Sequence, residues 1–228
     1  MKKIKIDILV ILFIASPFLA LTQVKSDLYR HNLKEKVHTV LESEYNPVNN
    51  SGKTKEKNLQ RKVFYEYDEQ GNLIRLNQYD SKAVLFSYHT FLRDESGKRI
   101  ATLHYNTGNV LVSIDSFKYD LNGNRTQDIS YNIDHTRRGR LLSIYDGNGV
   151  ITASFAYDGN GKLKSGYKFK LDSSGRRLGS EYINEDRAVV GTYVYKYSDF
   201  DRHGNWQKCV SFYNGSISVI TTIRIEYY

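Results

Sequence analysis

The segment Phe117-Lys118-Tyr119-Asp120-Leu121-Asn122-Gly123-Asn124-Arg125 places alternating aromatic residues directly before a turn signal. Its Asp-x-x-Gly core is the sequence of a type I turn, in which the aspartate accepts hydrogen bonds from backbone amides and the glycine takes a positive φ. The same glycine recurs five times at an unbroken period of 26 residues, and a sixth copy follows after a step of 29. A repeat of this kind determines the architecture of the chain. The predicted structural turns are Asp68, Gly71, Asp94, Gly97, Asp120, Gly123, Asp146, Gly149, Asp172, Gly175, Asp201 and Gly204.

A second turn signal lies eight residues past each of the first four repeat glycines, where a tyrosine is followed by aspartate or asparagine. Between the two signals, aromatic, β-branched and aliphatic residues alternate with polar ones, as in Tyr193-x-Tyr195-x-Tyr197. A period of two is typical of β-strands. The sequence therefore predicts an all-β fold, an antiparallel β-hairpin repeat array that forms a meander of about fourteen strands.

A meander of this length twists, and the apolar residues of at least one face must be covered. Closure into a barrel, folding into a sandwich and an open curled sheet are three ways to achieve this. Evenly spaced short turns favour an open curled or elongated sheet, as in other repeat arrays where each unit contacts its neighbours. An outer-membrane barrel is a weaker alternative, because strands of about eight residues are short for a bilayer and neither face is continuously apolar.

The N-terminus has a basic start followed by an apolar run from Ile8 to Leu21, which is the order of a cleavable secretory signal peptide. We predict a signal peptide over residues 1–22, a lead-in over 23–36 and a single repeat domain over 37–228. Within this domain a polar stretch at 47–60 is expected to be a long, mobile loop. The protein is predicted to be exported, to the periplasm or outside a bacterial cell, with no transmembrane segment after cleavage.

The chain carries a formal charge of +8, and its basic residues occur in groups. We interpret these groups as solvated charge in loops and beside turns, and we predict no nucleic-acid partner. The groups are Lys53, Lys55, Lys57, Arg61 and Lys62, then Arg137, Arg138 and Arg140, then Arg176 and Arg177. The single cysteine, Cys209, excludes an intramolecular disulfide and is predicted to be a small apolar strand residue.

No motif in the sequence indicates catalysis, a metal site or a bound cofactor. The six histidines show no metal-ligand spacing, and no nucleophile elbow, phosphate-binding glycine loop or dinucleotide fingerprint occurs. We therefore predict a protein without enzymatic activity, metal or cofactor. A pair of opposed carboxylates such as Asp115 and Asp128 is not excluded by spacing, although nothing in the sequence selects this pair over others.

The strings Phe64-Tyr65-Glu66-Tyr67-Asp68-Glu69-Gln70-Gly71-Asn72-Leu73 and Phe117 to Arg125 resemble the YD repeats of bacterial RHS-type proteins. Weaker copies occur at residues 145–149, 157–161 and 200–206, so that the resemblance covers most of the chain from about Val63 to Tyr213. It implies a β-strand shell, an envelope or secreted location and an association with carbohydrate.

Tyrosine is abundant, with nineteen residues, many of them in columns that align on adjacent strands. Stacked tyrosines stabilise a sheet by cross-strand contacts, and an exposed row of them also stacks on sugar rings. We predict a non-enzymatic binding module for polysaccharide or the envelope surface. A scaffold that pairs with another protein chain through its sheet edge is the first alternative, and an outer-membrane-associated β protein is the second. The candidate ligand-binding residues are Trp206, Tyr193, Tyr195, Tyr197 and Asn205.

Overall fold

The computed structural model describes residues 25–50 and 53–228, so the predicted signal peptide lies outside the described residues. A four-residue helix, α1 (Asp27–Arg30), precedes fourteen antiparallel strands. The strands are β1 (Val37–Asn50), β2 (Lys53–Tyr67), β3 (Leu73–Tyr79), β4 (Leu85–Arg93), β5 (Arg99–Asn106), β6 (Leu111–Tyr119), β7 (Arg125–Asn132), β8 (Arg137–Tyr145), β9 (Ile151–Asp158), β10 (Leu163–Leu171), β11 (Arg177–Ile183), β12 (Val189–Phe200), β13 (Trp206–Tyr213) and β14 (Ser216–Tyr227). The prediction of an all-β meander of fourteen strands is confirmed. Among the described residues, no helix is long and apolar enough to cross a bilayer.

The meander closes into a barrel, so the expectation of an open curled sheet is wrong. Strand β14 pairs with β1 in an antiparallel ladder that runs from Val37 opposite Tyr227 to Tyr45 opposite Ile220. The ladder matches Val40 with Ile225, which places apolar side chains of both terminal strands on one face. Closure removes both sheet edges, whose unpaired backbone groups would otherwise be exposed. The edge that a scaffold would offer to another chain is therefore occupied by the protein's own first and last strands.

The repeat aspartates and glycines form the turns at one end of the barrel. At each of the six positions the glycine amide donates to the aspartate carbonyl at 2.9–3.1 Å, and the six glycines have φ between 73° and 81°. In the turn at Asp120, one carboxylate oxygen also accepts from the amides of Asn122 and Asn124, at 2.9 and 2.8 Å. We call this the glycine end. The step of 29 residues arises because β12 is longer than its neighbours, with Asp199 at a φ of 54° near its end.

The turns at the opposite end have the same hydrogen bonds, although most of them lack glycine. Ala83, Asn109, His135 and Arg187 occupy the left-handed position there, with φ between 58° and 66°. The left-handed conformation costs an L-residue roughly 1–2 kcal/mol, since its Cβ approaches the following carbonyl oxygen. The two ends of the barrel are therefore built by the same backbone geometry from different side chains.

Exchanging glycine and alanine between the two ends should shift stability in opposite directions. Gly97→Ala is expected to lower the free energy of unfolding by about 1 kcal/mol, whereas Ala83→Gly should leave it unchanged or raise it by up to about 1 kcal/mol. A Cβ on Gly97 would have no atom within 4 Å, so the cost is one of backbone conformation alone. Thermal unfolding by circular dichroism measures both changes, with an expected fall of roughly 2–4 °C for Gly97→Ala. Equal shifts of the same sign would contradict the assignment.

The predicted long loop at 47–60 is wrong, because β1 continues to Asn50 and β2 begins at Lys53. The two strands stay paired as far as Asn50 opposite Lys53, so they form the longest hairpin of the barrel. Backbone pairing between extended segments is compatible with polar side chains, which is why the polarity of this stretch does not make it a loop. The register shifts at Tyr45, directly before this extension.

The lead-in closes the glycine end. Ser26 caps α1 by accepting from the Tyr29 amide, and the amide of Leu28 donates to the carbonyl of Gly71 at 3.0 Å. Leu28 is buried in the hydrophobic core, which lies where the lead-in meets the first, second, third and last strands. The buried members of this core are Leu28, Val37, Val40, Tyr67, Leu73 and Ile223. The opposite end of the described barrel carries only hairpin turns and the extension of β1 and β2.

Candidate functional site

The register assigns the side chains of each strand to the lumen or to the outside of the barrel. Directly opposed residues share a face, so the pairs His89 with His104 and Asp115 with Ser130 belong to one face. This face looks into the lumen, since it continues through Phe117 opposite Asp128 to the residues beneath α1. The lumen is lined largely by polar and aromatic side chains. The cluster of buried apolar residues lies at the glycine end, although Leu163 and Ile183 are also buried beside turns of the opposite end.

One position of the repeat lines the lumen at the glycine end. The second residue after each tip glycine begins a strand. Beside the first five tips the register shifts, and this bulge turns the side chain inward. In the first copy this residue is Leu73, which belongs to the core. The complete set is Leu73, Arg99, Arg125, Ile151, Arg177 and Trp206.

Beneath α1 lies a cavity of 380 Å³, which we call the arginine cavity. Its cationic lining residues are Lys25, Arg30, Arg99, Arg125 and Arg177. Asp128 is the only carboxylate among the lining residues of the described chain. It accepts from Arg125 Nε at 2.9 Å, and burial raises the pKa of this carboxyl group despite that contact. The cavity is therefore strongly positive.

Arg99 is the most deeply buried of these cations, with 9% of its surface exposed. Its guanidinium lies between the rings of Phe91 and Phe117, at 5.1 and 5.2 Å from their centroids, and its Nη2 is 3.5 Å from Asp27. Its Nε has no hydrogen-bond acceptor among the described residues. Burial lowers the pKa of Arg99 to about 10, although Asp27 opposes this effect. Arg99 is thus a buried, charged side chain with an N–H donor that has no acceptor.

A set of tyrosines covers the lumen side of β10 to β13, and we call it the tyrosine wall. Tyr193 lies at its centre, with ring centroids 6.2 Å from Tyr167, 6.3 Å from Tyr195 and 4.9 Å from Tyr213. Tyr193 and Tyr195 are stacked within 6° of parallel, and Tyr167 also contacts Tyr182 at 5.3 Å. All five members are only half-buried although they lie inside a closed barrel. Their ring surfaces therefore face open space in the lumen.

The structure brings together four of the five predicted ligand-binding residues. Tyr193 and Tyr195 belong to the tyrosine wall, and Tyr197 continues the row toward Trp206, whose ring meets it edge-on at 5.4 Å. Trp206 packs against the hydrophobic core. Asn205 is separate, because its side-chain amide is buried and bonded to the backbone of Lys34 and to the hydroxyl of Tyr227. These contacts make Asn205 an anchor for the lead-in.

Three tyrosines that were not predicted from the sequence, Tyr167, Tyr182 and Tyr213, complete the wall around the predicted residues. Each of them stands directly opposite another lumen residue, Tyr167 opposite Tyr182 and Tyr213 opposite Tyr193. The period-two pattern places these tyrosines on one face of their strands, but only the strand register shows which tyrosines are neighbours across the sheet. Arg177, which we interpreted as solvated charge, is exposed, and it also lines the arginine cavity against the ring of Phe169, at 3.9 Å.

Asp115 and Asp128 occupy diagonal positions on neighbouring strands and both face the lumen. Asp115 accepts from Ser130 at 2.5 Å and from His104 Nε2 at 2.8 Å, and His104 Nδ1 is 3.2 Å from His89 Nε2. Burial raises the pKa of Asp115, but the hydrogen bonds from His104 and Ser130 outweigh burial, so the pKa is lowered. Among residues 25–50 and 53–228, no three histidine, cysteine or acidic side chains are grouped so that they could hold a metal ion.

The chain matches no family model, and no curated protein resembles it in sequence. Among solved structures it is similar to a porin-like protein from Bacteroides uniformis, with a TM-score of 0.47, 10% identity and coverage of 83% of this chain and 98% of that one. A putative outer membrane lipoprotein-sorting protein domain from Vibrio parahaemolyticus gives a TM-score of 0.34 at 11% identity, covering 83% and 86% of the two chains. The TcdB2-TccC3-TEV structure gives 0.30 at 13% identity, and the match spans 77% of this chain but 11% of that one.

Proposed function

We propose that the protein is an exported, non-enzymatic binding protein that holds a glycan in its barrel lumen against the tyrosine wall. The observation that carries this proposal is the partial exposure of five contacting tyrosines inside a closed barrel. A sugar ring presents C–H groups to an aromatic face and hydroxyls to the surrounding polar groups. Ser180, whose hydroxyl lies 3.2 Å from that of Tyr195, supplies such a polar group beside the wall.

The architecture favours entry of the ligand from one side. The lead-in covers the glycine end, whereas the opposite end of the described barrel has only turns and the long first hairpin. A flexible glycan chain could therefore enter at the opposite end and extend toward the arginine cavity. The resemblance to YD repeats is consistent with carbohydrate as the ligand class. Membership of that family stays a prediction.

A second candidate is an outer-membrane-associated β protein, and it is favoured by one feature of the outer surface. Phe86, Leu92, Val112 and Ile144 are exposed on β4 to β8. On β10, by contrast, Lys164, Lys168 and Lys170 are exposed along the strand. Such a lysine row would be costly at the centre of a bilayer, so the outer face of β10 does not suit contact with a membrane.

Replacing Tyr195 should weaken glycan binding. We expect the mature protein to be retained on an insoluble polysaccharide, chitin or purified peptidoglycan, and to stay bound in 0.5 M NaCl because ring stacking is not screened by salt. Tyr195→Ala removes one of the five aromatic rings of the wall. It should weaken retention about tenfold, which corresponds to roughly 1.4 kcal/mol of binding free energy. The matched control is Tyr105→Ala, since Tyr105 stacks on Tyr88 at 5.1 Å on the outside of the barrel.

Two results would contradict the glycan proposal. Equal losses for Tyr195→Ala and Tyr105→Ala would show that the effect comes from stability. Flotation of the protein with lipid vesicles, together with no retention on either polysaccharide, would favour the outer-membrane-associated protein instead.

A further inference from the structure

The arginine cavity holds more positive charge than the protein itself neutralises. Lys25 donates to the Asn124 side chain at 2.7 Å and Arg30 to the carbonyl of Gly123 at 3.2 Å, so both cations have neutral partners. Asp128 forms an ion pair with Arg125. Asp27 accepts from the Leu73 amide and from Arg93, and it also faces Arg99. The available carboxylates are therefore fully used, and positive charge remains.

Two of the arginines are oriented for in-plane recognition of an anion. Arg177 is exposed and lies 3.9 Å from the ring centroid of Phe169, and among the described residues Asp172 pairs with the neighbouring Arg176 and no carboxylate pairs with Arg177. Arg99 lies between two phenylalanine rings, and its buried Nε has no acceptor in the described part of the chain. A guanidinium whose faces are covered by rings offers its N–H groups at the edge, where they match an oxyanion.

We propose that the arginine cavity is an oxyanion-binding site that receives the phosphate or carboxylate group of the ligand in the lumen. This inference rests on the proposed glycan function and narrows it to anionic glycans. Phosphate and carboxylate share the planar or tetrahedral arrangement of oxygens that arginine binds through two parallel hydrogen bonds. The anion would accept hydrogen bonds from the guanidinium groups of Arg99 and Arg177, which both line the cavity, and would be held at the end of the lumen that the lead-in closes.

The test compares three soluble probes on the mature protein by isothermal titration calorimetry. Inorganic pyrophosphate represents phosphate, trigalacturonate represents a carboxylated sugar, and chitotriose is the neutral reference. We expect at least one anionic probe to bind ten or more times more tightly than chitotriose. Preference for pyrophosphate or trigalacturonate then identifies which anionic group the cavity accepts.

Arg177→Gln should weaken the preferred anionic probe about tenfold, because a charged donor pair with no other partner is lost. Lys25→Gln provides a second variant on the lead-in, outside the barrel wall. The matched control is Arg138→Gln, which removes the same charge from an exposed position on β8 and should change affinity less than twofold. Equal affinity for charged and neutral probes, or an equal effect of Arg177→Gln and Arg138→Gln, would overturn the proposal.

The two proposals fail in different ways. Loss of binding with Tyr195→Ala but not with Arg177→Gln or Lys25→Gln would remove the oxyanion site and leave the glycan function. Loss with the cationic variants alone, with chitotriose and both polysaccharides unbound, would remove the glycan function and leave an anion site.

Discussion

Replacing Asp27 by asparagine is expected to lower the free energy of unfolding by about 3–5 kcal/mol, the cost of removing one partner from a buried ion pair. Asp27 is 3% exposed and accepts from Arg93 Nη2 at 2.7 Å and from the Leu73 amide at 3.0 Å. Arg99 Nη2 lies 3.5 Å from its other oxygen. Asparagine has nearly the same shape, but it leaves two arginines at the glycine end without their counterion.

The charge of Asp27 is set by burial and by its partners. Burial raises the pKa of the carboxyl group, yet Arg99 and the hydrogen bonds from Arg93 and Leu73 outweigh burial, so the pKa is lowered. Asp27 is therefore charged at neutral pH, and the charge is the feature that asparagine removes. Because the folded-state pKa is depressed, the stabilisation is present above the unfolded pKa and is lost as the pH falls through the folded value.

Chemical unfolding at pH 7 measures the effect of Asp27→Asn, and a drop of roughly 10 °C in the melting temperature is the matching thermal result. Asp186→Asn is the control, since it removes the same charge from an exposed turn and should change stability by less than about 0.5 kcal/mol. Faster proteolysis within the lead-in is expected in the Asp27 variant, because α1 is held at the barrel through this residue. A melting temperature within 2 °C of the wild-type value would refute the proposed role.

The repeat turns were predictable because each turn is determined by residues that are close together in the sequence. Asp120 and Gly123 specify their turn through contacts within five residues, so the sequence contains the whole cause. Closure of the sheet was not predictable in this way. It depends on β1 meeting β14 nearly the whole length of the chain away, and the alternation of Ile223 and Ile225 fits an open sheet as well as a barrel.

The site was predictable to a smaller extent. Tyr193 and Tyr195 followed from the period-two pattern, whereas the arginine cavity did not, because its repeat position holds leucine, isoleucine and tryptophan in other copies. Only the bulge after each glycine turns Arg99, Arg125 and Arg177 toward the lumen. Arginine next to a turn is typical of a solvated surface, and Arg177 is indeed exposed, but the pattern gave no sign that it also lines the arginine cavity.

Lowering the pH from 6.5 to 4 should destabilise the protein through His89 by on the order of 2 kcal/mol. Asp115 is ionised and only accepts, so His104 donates to it through Nε2. The contact between His104 Nδ1 and His89 Nε2 needs one donor and one acceptor, and a neutral His89 can take either role. Burial, together with the neighbouring His104 and Arg99, lowers the pKa of His89 to about 4, although Asp115 opposes this effect.

The sign of the effect follows from the two pKa values. An unfolded histidine takes up its proton near pH 6.5, while His89 in the barrel does so only near pH 4. Between these values the unfolded state binds more protons than the folded state, so stability falls as the pH falls. Well above pH 6.5 the ring is neutral in both states and contributes no pH dependence.

Urea unfolding of the wild type and of His89→Gln between pH 7 and pH 4 tests this effect. Glutamine does not titrate, so the variant should lose about 2 kcal/mol less stability than the wild type over this range. His135→Asn is the matched control, because His135 lies exposed in a turn at the opposite end and asparagine accepts its left-handed backbone. If the free energy of unfolding has the same pH dependence in the wild type and in His89→Gln, the pKa of His89 is the same in the folded and unfolded protein, and the predicted effect is contradicted. If the wild type and His135→Asn lose the same amount of stability in acid, and both lose more than His89→Gln, the acid sensitivity lies in the His89–His104–Asp115 chain.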